Sequence, residues 1–168
     1  AYRSGGLRLR FYSKKFVTFL AVDLAMTHGE GKGKKITIPH QIFNSPALLI
    51  SCIRGIADSD GTIFLSHKTG CKDLYVTIEI TTTSKTLSQQ LLTALMSFDF
   101  RAKWRKYHKI GTLPVYRVSL NGKNQAQKWF DKIGFSNKRK SSKYLNRLYG
   151  KPLIQRGDSS AWESTRYR

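Results

Sequence analysis

Acidic residues are scarce in this chain. Among 168 residues there are 10 Asp or Glu against 30 Lys or Arg, a formal charge of +20. Such a surplus creates a large positive potential and makes a polyanion, above all nucleic acid, the expected partner. Cysteine is also sparse. Cys52 and Cys71 fall in different predicted elements with no CxxC or Cys/His spacing, which argues against a zinc site and for reduced thiols in a cytoplasmic protein. Long apolar runs are missing as well. The most apolar early segment, FVTFLAVDLAM at residues 16–26, is too short to span a bilayer and carries Asp23. It is expected to be a core helix of a soluble protein. A basic membrane-surface protein would line one face of an amphipathic helix with Lys and Arg. Here the basic residues are spread through strand-like segments instead, so no membrane partner is expected.

What is present describes an ordered domain. Hydrophobic residues make up 40% and aromatics 12%, and the length suits one structural domain. Residues 1–44 read as an N-terminal extension: a basic arm over 1–15, a helix over 16–28, a Gly/Lys-rich loop, and a short strand in ITIPHQIF that Pro39 interrupts. Residues 45–150 read as the core and 151–168 as a C-terminal tail.

The core has clear punctuation. Ser45 as N-cap and Pro46 at the first helical position open a helix through NSPALLISCIRGIA. Residues 61–67 alternate as a strand, and DLYVTIEITT follows as a second. SKTLSQQLLTALMSF is a helix capped by Ser84, with Leu87, Leu91, Leu92 and Leu95 as its apolar stripe. RAKWRKYHKI and PVYRVSL are two further strands. NGKNQAQKWFDKIG and KSSKYLNRLYG close the series as helices, giving the order α-β-β-α-β-β-α.

Within each strand pair one parity is apolar and the other polar or basic. The second set comprises Thr62, Ser66 and Lys68; Tyr75, Thr77, Glu79 and Thr81; Arg101, Lys103, Arg105, Tyr107 and Lys109; and Arg117 and Ser119. A sheet packed on helices by one face would turn this set to the other. Ordinary solvated sheets alternate too, but the Lys/Arg excess with Tyr interleaved suits phosphates and guanine edges in a major groove that admits a β-ribbon. These residues, with Lys85, are the candidate DNA contacts.

At the end of the first core helix two acids stand close together, Asp58 and Asp60. A calcium loop fails on register, because Asp58, Asp60 and Gly61 at loop positions three, five and six would put Ile56 and His67 where acids are required. Plain turn chemistry remains open. Against it stands the nonapeptide IRGIADSDG, residues 53–61, which resembles the LAGLIDADG motif of the homing endonucleases. Gly55, Asp58, Asp60 and Gly61 are identical to that motif, and Ile53, Ile56 and Ala57 match in character. Arg54 and Ser59 depart from its alanines, and Arg54 must point away from a close helix partner or find one of its own.

The resemblance implies an α+β fold, the LAGLIDADG homing endonuclease fold, with an antiparallel DNA-binding sheet. Segments such as ITIPHQIF are similar to archaeal intron or intein endonucleases. A single motif implies a homodimer joined through Ile53, Gly55 and Ile56, which cuts both strands of a long pseudo-palindromic DNA target and promotes intron mobility. By the same carry-over Asp60 binds metal with the Ser59 carbonyl as a second ligand, and Asp58 caps or braces the helix end. Two or three Mg2+ per dimer are implied, shared between the active sites, with Ca2+ supporting binding without cleavage. The basic residue that completes such a site falls in GFSNKRKSSK, where Lys140 and Lys138 are the candidates and Arg139 stays open. A polar residue near the attacking water falls at Ser84 or Lys85. The alternative is a non-cleaving relative of the same fold, a DNA-binding regulator or an intron-splicing maturase whose partner would be RNA.

Overall fold

The Ser45 hydroxyl accepts a hydrogen bond from the Leu48 N–H at 3.4 Å and Pro46 takes the first turn, so the central helix begins where the sequence places it. The computed structural model describes residues 12–26, 31–67 and 75–148. Most of the 1–15 arm, Lys68, Cys71 and the 151–168 tail lie outside them. The elements in chain order are α1 (Lys14–Thr18), continued by a π-helical turn over Phe19–Asp23, then α2 (Lys32–Lys35), α3 (His40–Phe43) and α4 (Pro46–Asp60). There follow β1 (Gly61–Ser66), β2 (Tyr75–Thr82), α5 (Lys85–Ser97), β3 (Lys103–Tyr107), β4 (Val115–Asn121), α6 (Lys123–Lys132) and α7 (Lys138–Leu148). The strands form one antiparallel sheet in the order β1-β2-β4-β3. This is the expected α+β architecture.

The core lies between the apolar sheet face and the helices. Leu49, Ile53 and Ala57, at spacings of four on α4, meet Ile63, Val76, Ile78, Ile80, Val118 and Leu120 of the sheet and Leu87, Leu91 and Leu95 of α5. Burying side chains of this size contributes roughly 1.5–3 kcal/mol each. Tyr144 of α7 is 1% exposed and stacks on Phe130 of α6 with ring centroids 4.4 Å apart. That contact pins α7 against the core.

The N-terminal extension differs from its sequence reading in two places. The 16–28 helix is not a core helix: α1 and its π turn bury no residue, and Phe16, Val17, Phe19 and Val22 are all exposed. An apolar run has no partner face in its own sequence, and this one contributes nothing to the core cluster. ITIPHQIF is not a strand either. Residues 36–39 are extended but pair with a side chain, since Gln90 accepts the Ile38 N–H at 2.8 Å and returns an N–H to the Ile38 carbonyl at 3.1 Å. After Pro39 the chain turns into α3.

Candidate nuclease site and nucleic-acid interface

Helix α4 ends at Asp60 and β1 begins at Gly61 with no loop between them. A Cβ at Gly61 would collide with the Ala57 carbonyl oxygen and lie 2.9 Å from the Ala57 Cα, so the junction requires glycine. The last four carbonyls of a helix lack intrahelical donors. Here Lys140 fills part of that deficit, with Nζ donating to the Asp58 carbonyl at 2.7 Å and, at 2.8 Å, to the Ala57 carbonyl, which also accepts the Gly61 N–H. Burial at this junction pushes the Lys140 ammonium below the ordinary lysine range, the negative charges of Asp58 and Asp60 oppose that shift, and Arg139 adds to it.

The exchange is reciprocal. The Asp58 carboxylate accepts the N–H of Ser136 at 3.0 Å and of Asn137 at 3.1 Å, in the segment leading into α7. Asp58 therefore braces the neighbouring helix start rather than the end of its own helix, and charge-assisted bonds of this kind are among the stronger ones. Asp60 is exposed, and among the described residues the Ser59 hydroxyl donates to its carboxylate at 3.3 Å. Ser59 turns its hydroxyl to the Gly55 and Ile56 carbonyls as well.

The structure thus brings Asp60, Ser59 and Lys140 together. Lys138 is not with them: it lies two residues from Lys140, about 200° around the helix, and is exposed. Ser84 is also excluded as a group near an attacking water. It is fully buried, accepts the Leu87 N–H at 3.1 Å as the cap of α5, and donates to the Ile36 carbonyl at 2.7 Å. Lys85 remains exposed at the first position of α5.

Asp60 and Ser59 fit a hard divalent cation. Asp60 offers nearly all of its oxygen lone pairs, the Ser59 carbonyl belongs to the final turn without an intrahelical donor, and magnesium retains several waters and so needs few protein ligands. Among the described residues no three His, Cys, Asp or Glu come together. A metal here would therefore lean on Asp60, backbone and water, or on a second copy of the chain.

The sheet register puts the predicted polar set on one face. Pairing aligns Thr62, Glu79, Ser119 and Lys103 in one row, Thr81, Arg117 and Arg105 in another, and Ser66 beside Tyr75. Thr62, Lys103, Arg105 and Tyr107 are exposed, as are Arg101 and Lys109 just beyond the ends of β3. Thr77 shares the face but is 6% exposed with its hydroxyl given to Asn121 at 3.2 Å, so it supports the surface rather than offering a contact. Two members were missed. Phe64 and Asn121 occupy the same parity, opposite Thr77 on either side, and strand alternation carried two residues past Ser119 would have found Asn121.

Arg105 faces Arg117 directly across the sheet, a like-charge pairing that weakens a sheet. Glu79 lies 3.6 Å from Arg117 Nε, and the Arg117 guanidinium sits 4.2 Å from the centre of the Tyr107 ring, which eases the repulsion in part. At the other end of the face a cleft of about 400 Å³ opens between Tyr75, Arg101, Lys103, Asn121 and Lys123. A polyanion laid across this face would meet cations along its length.

Among the described residues nothing covers the outer side of α4. Leu48, Ser51, Gly55 and Ser59 are exposed along one stripe, with Cys52 and Ile56 half-buried beside them, and a Cβ at Gly55 would meet nothing within 4 Å. Ile53 is 0% exposed and points into the core, so it is not part of any interface; its 100° offset per residue from Gly55 places it on the opposite side. Arg54 finds its partner within the chain, donating from Nε to the Ile133 carbonyl at the end of α6 at 2.5 Å. Cys52 is a free thiol whose pKa burial pushes up.

Comparison with known proteins gives two findings. A family model for the LAGLIDADG-like domain matches residues 48–134. The chain is also similar to the replication factor C small subunit of Methanocaldococcus jannaschii, 32% identical over 134 residues, covering 79% of this chain and 6% of that protein. The chain therefore corresponds to a small part of that relative's length.

Proposed function

The chain belongs to the LAGLIDADG family of nucleic-acid-binding proteins, and from that premise we propose that it is a site-specific, divalent-metal-dependent double-strand DNA endonuclease acting as a homodimer. One observation carries the reading: of two acids at the end of α4, Asp58 is held by two backbone N–H groups while Asp60 stands exposed at the edge of a basic sheet face. A bare carboxylate beside a DNA surface repels phosphate unless a cation lies between them.

Asp60 and the Ser59 carbonyl would hold magnesium, in two or three ions shared by the dimer, with calcium supporting binding alone. When bound, such ions activate water and stabilise charge on the scissile phosphate. The protein's own groups orient that reaction. Lys140 fixes the end of α4 and with it the position of Asp60, and Arg105, Arg117 and Lys103 hold the duplex across the sheet. Gly55 and Ile56 face a second α4, whose two-fold relation to the first sets a pseudo-palindromic target.

The likeness to a short stretch of a much longer replication protein fits a mobile module carried within a host sequence, and intron or intein mobility is the role proposed here. The test is cleavage of a randomised duplex library in magnesium, in calcium, and by Asp60→Asn in magnesium. Discrete cuts in magnesium alone, lost in the variant while DNA affinity is retained, are expected. Equal cutting by Asp60→Asn removes that residue from the site, and tight binding without cutting favours the maturase or regulator reading.

A further inference from the structure

The segment between residues 31 and 39 precedes the matched family domain, yet it is fastened to it at several points. Gln90 of α5 takes both backbone groups of Ile38, Ser84 donates to the Ile36 carbonyl at 2.7 Å, and Thr83 donates to the Gly33 carbonyl at 3.0 Å. Ile38 itself is 3% exposed and belongs to the core cluster. These bonds replace a strand partner along one side of the segment. They fix a turn whose outward side chains are basic: Lys32 and Lys34 of α2 are exposed.

The place where the turn is fixed gives it a use. Thr83 follows the last residue of β2, and Thr81 lies one position beyond the Gly61–Ile80 pair, next to the point where Asp60 ends α4. Thr81 in turn pairs with Arg117, and Arg117 with Arg105. The turn, Lys85 at the start of α5, and the row Thr81, Arg117 and Arg105 therefore gather at one end of the polar face, the end that carries Asp60. Held lysines there add to the positive charge of Arg105 and Arg117, which Asp60 and Glu79 offset only in part, and such an excess costs stability unless an anion is met.

We propose that residues 31–39 form a strap that carries Lys32 and Lys34 onto duplex phosphates on the cleavage side of each half-site, lengthening the DNA contact beyond the family domain. The proposal rests on the DNA-binding part of the reading above. Its chemistry is backbone neutralisation, so the strap adds affinity for duplex of any sequence and no base preference.

The measurement is the dependence of binding on salt for a mixed-sequence duplex. Each lost phosphate contact lowers the slope of log affinity against log salt by about 0.9. Lys32→Ala and Lys34→Ala are expected to lower it by about that amount each, Lys32→Arg and Lys34→Arg to preserve it, and Lys132→Ala, at the far end of α6, to leave it nearly unchanged. Thermal melts confirm that each variant is folded. The strap is overturned if Lys32→Ala and Lys34→Ala change the slope no more than Lys132→Ala does. Failure of the unaltered protein to bind duplex at all would instead count against the endonuclease reading.

Discussion

Two aspartates separated by one serine have opposite duties, and the difference lies in what reaches them. Asp58 receives two N–H groups from a segment 78 and 79 residues later in the chain, while Lys140 returns two bonds to the same helix end. Removing the carboxylate leaves those amides to solvent and frees the start of α7. Asp58→Ala is expected to lower unfolding stability by about 2–3 kcal/mol, the scale of hydrogen bonds to a charged acceptor. Urea unfolding checks this, and a variant as stable as the parent would show the brace to be idle. Asp60→Asn, by contrast, breaks no such network and is expected to keep the parent's midpoint. The sequence displayed both acids at the right junction, and their resemblance to a motif separated their roles. It gave no sign of Ser136 and Asn137 as partners, because capping across so many residues leaves no local period.

At the scale of elements, the parts that were legible are those with a period and punctuation of their own. Ser45 and Pro46 announce α4, Ser84 announces α5, and strict alternation announces β2 and β4. The extension was misread because its apolar residues signal burial without saying against what: Phe16 and Val22 are exposed, and Ile38 pairs with a glutamine amide rather than a strand. The same ambiguity applied to the dimer face. Ile53 and Gly55 are neighbours in the motif but lie on opposite sides of α4, and only the packed sheet shows which side is spent. The open side makes a specific prediction. The Cβ that Gly55→Leu adds meets nothing within 4 Å among the described residues, Gly55 is exposed, and glycine costs a helix interior about 1 kcal/mol relative to Ala, so the folded monomer is expected to survive. Across a close helix pair the same side chain blocks approach. Sedimentation is expected to show a monomer with native circular dichroism and no double-strand cleavage; a dimer of unchanged affinity would place the contact elsewhere.

For the molecule as a whole, charge and register act together. A surplus of 20 positive charges is only a net figure, and dispersed evenly it would give weak, unfocused attraction. The register instead aligns Lys103, Arg105 and Arg117 on one face, backs that face with a helix-covered apolar side, and leaves Glu79 as an acid beside Arg117. Parity in the sequence made this face legible before any pairing was known, since a one-residue slip in a single strand would have buried its cations. Binding dominated by such a surface must release counterions from DNA. If it neutralises about 6–10 phosphates, affinity for a duplex of arbitrary sequence falls roughly 10³- to 10⁵-fold between 50 and 200 mM salt. Fluorescence anisotropy in calcium measures that fall without cleavage. Because Asp60 faces a cation rather than phosphate in this reading, Asp60→Asn is expected to trace the same line. A nearly flat salt response would mean that the basic face is solvated surface, and would leave the acid at the end of α4 without the DNA it is proposed to act on.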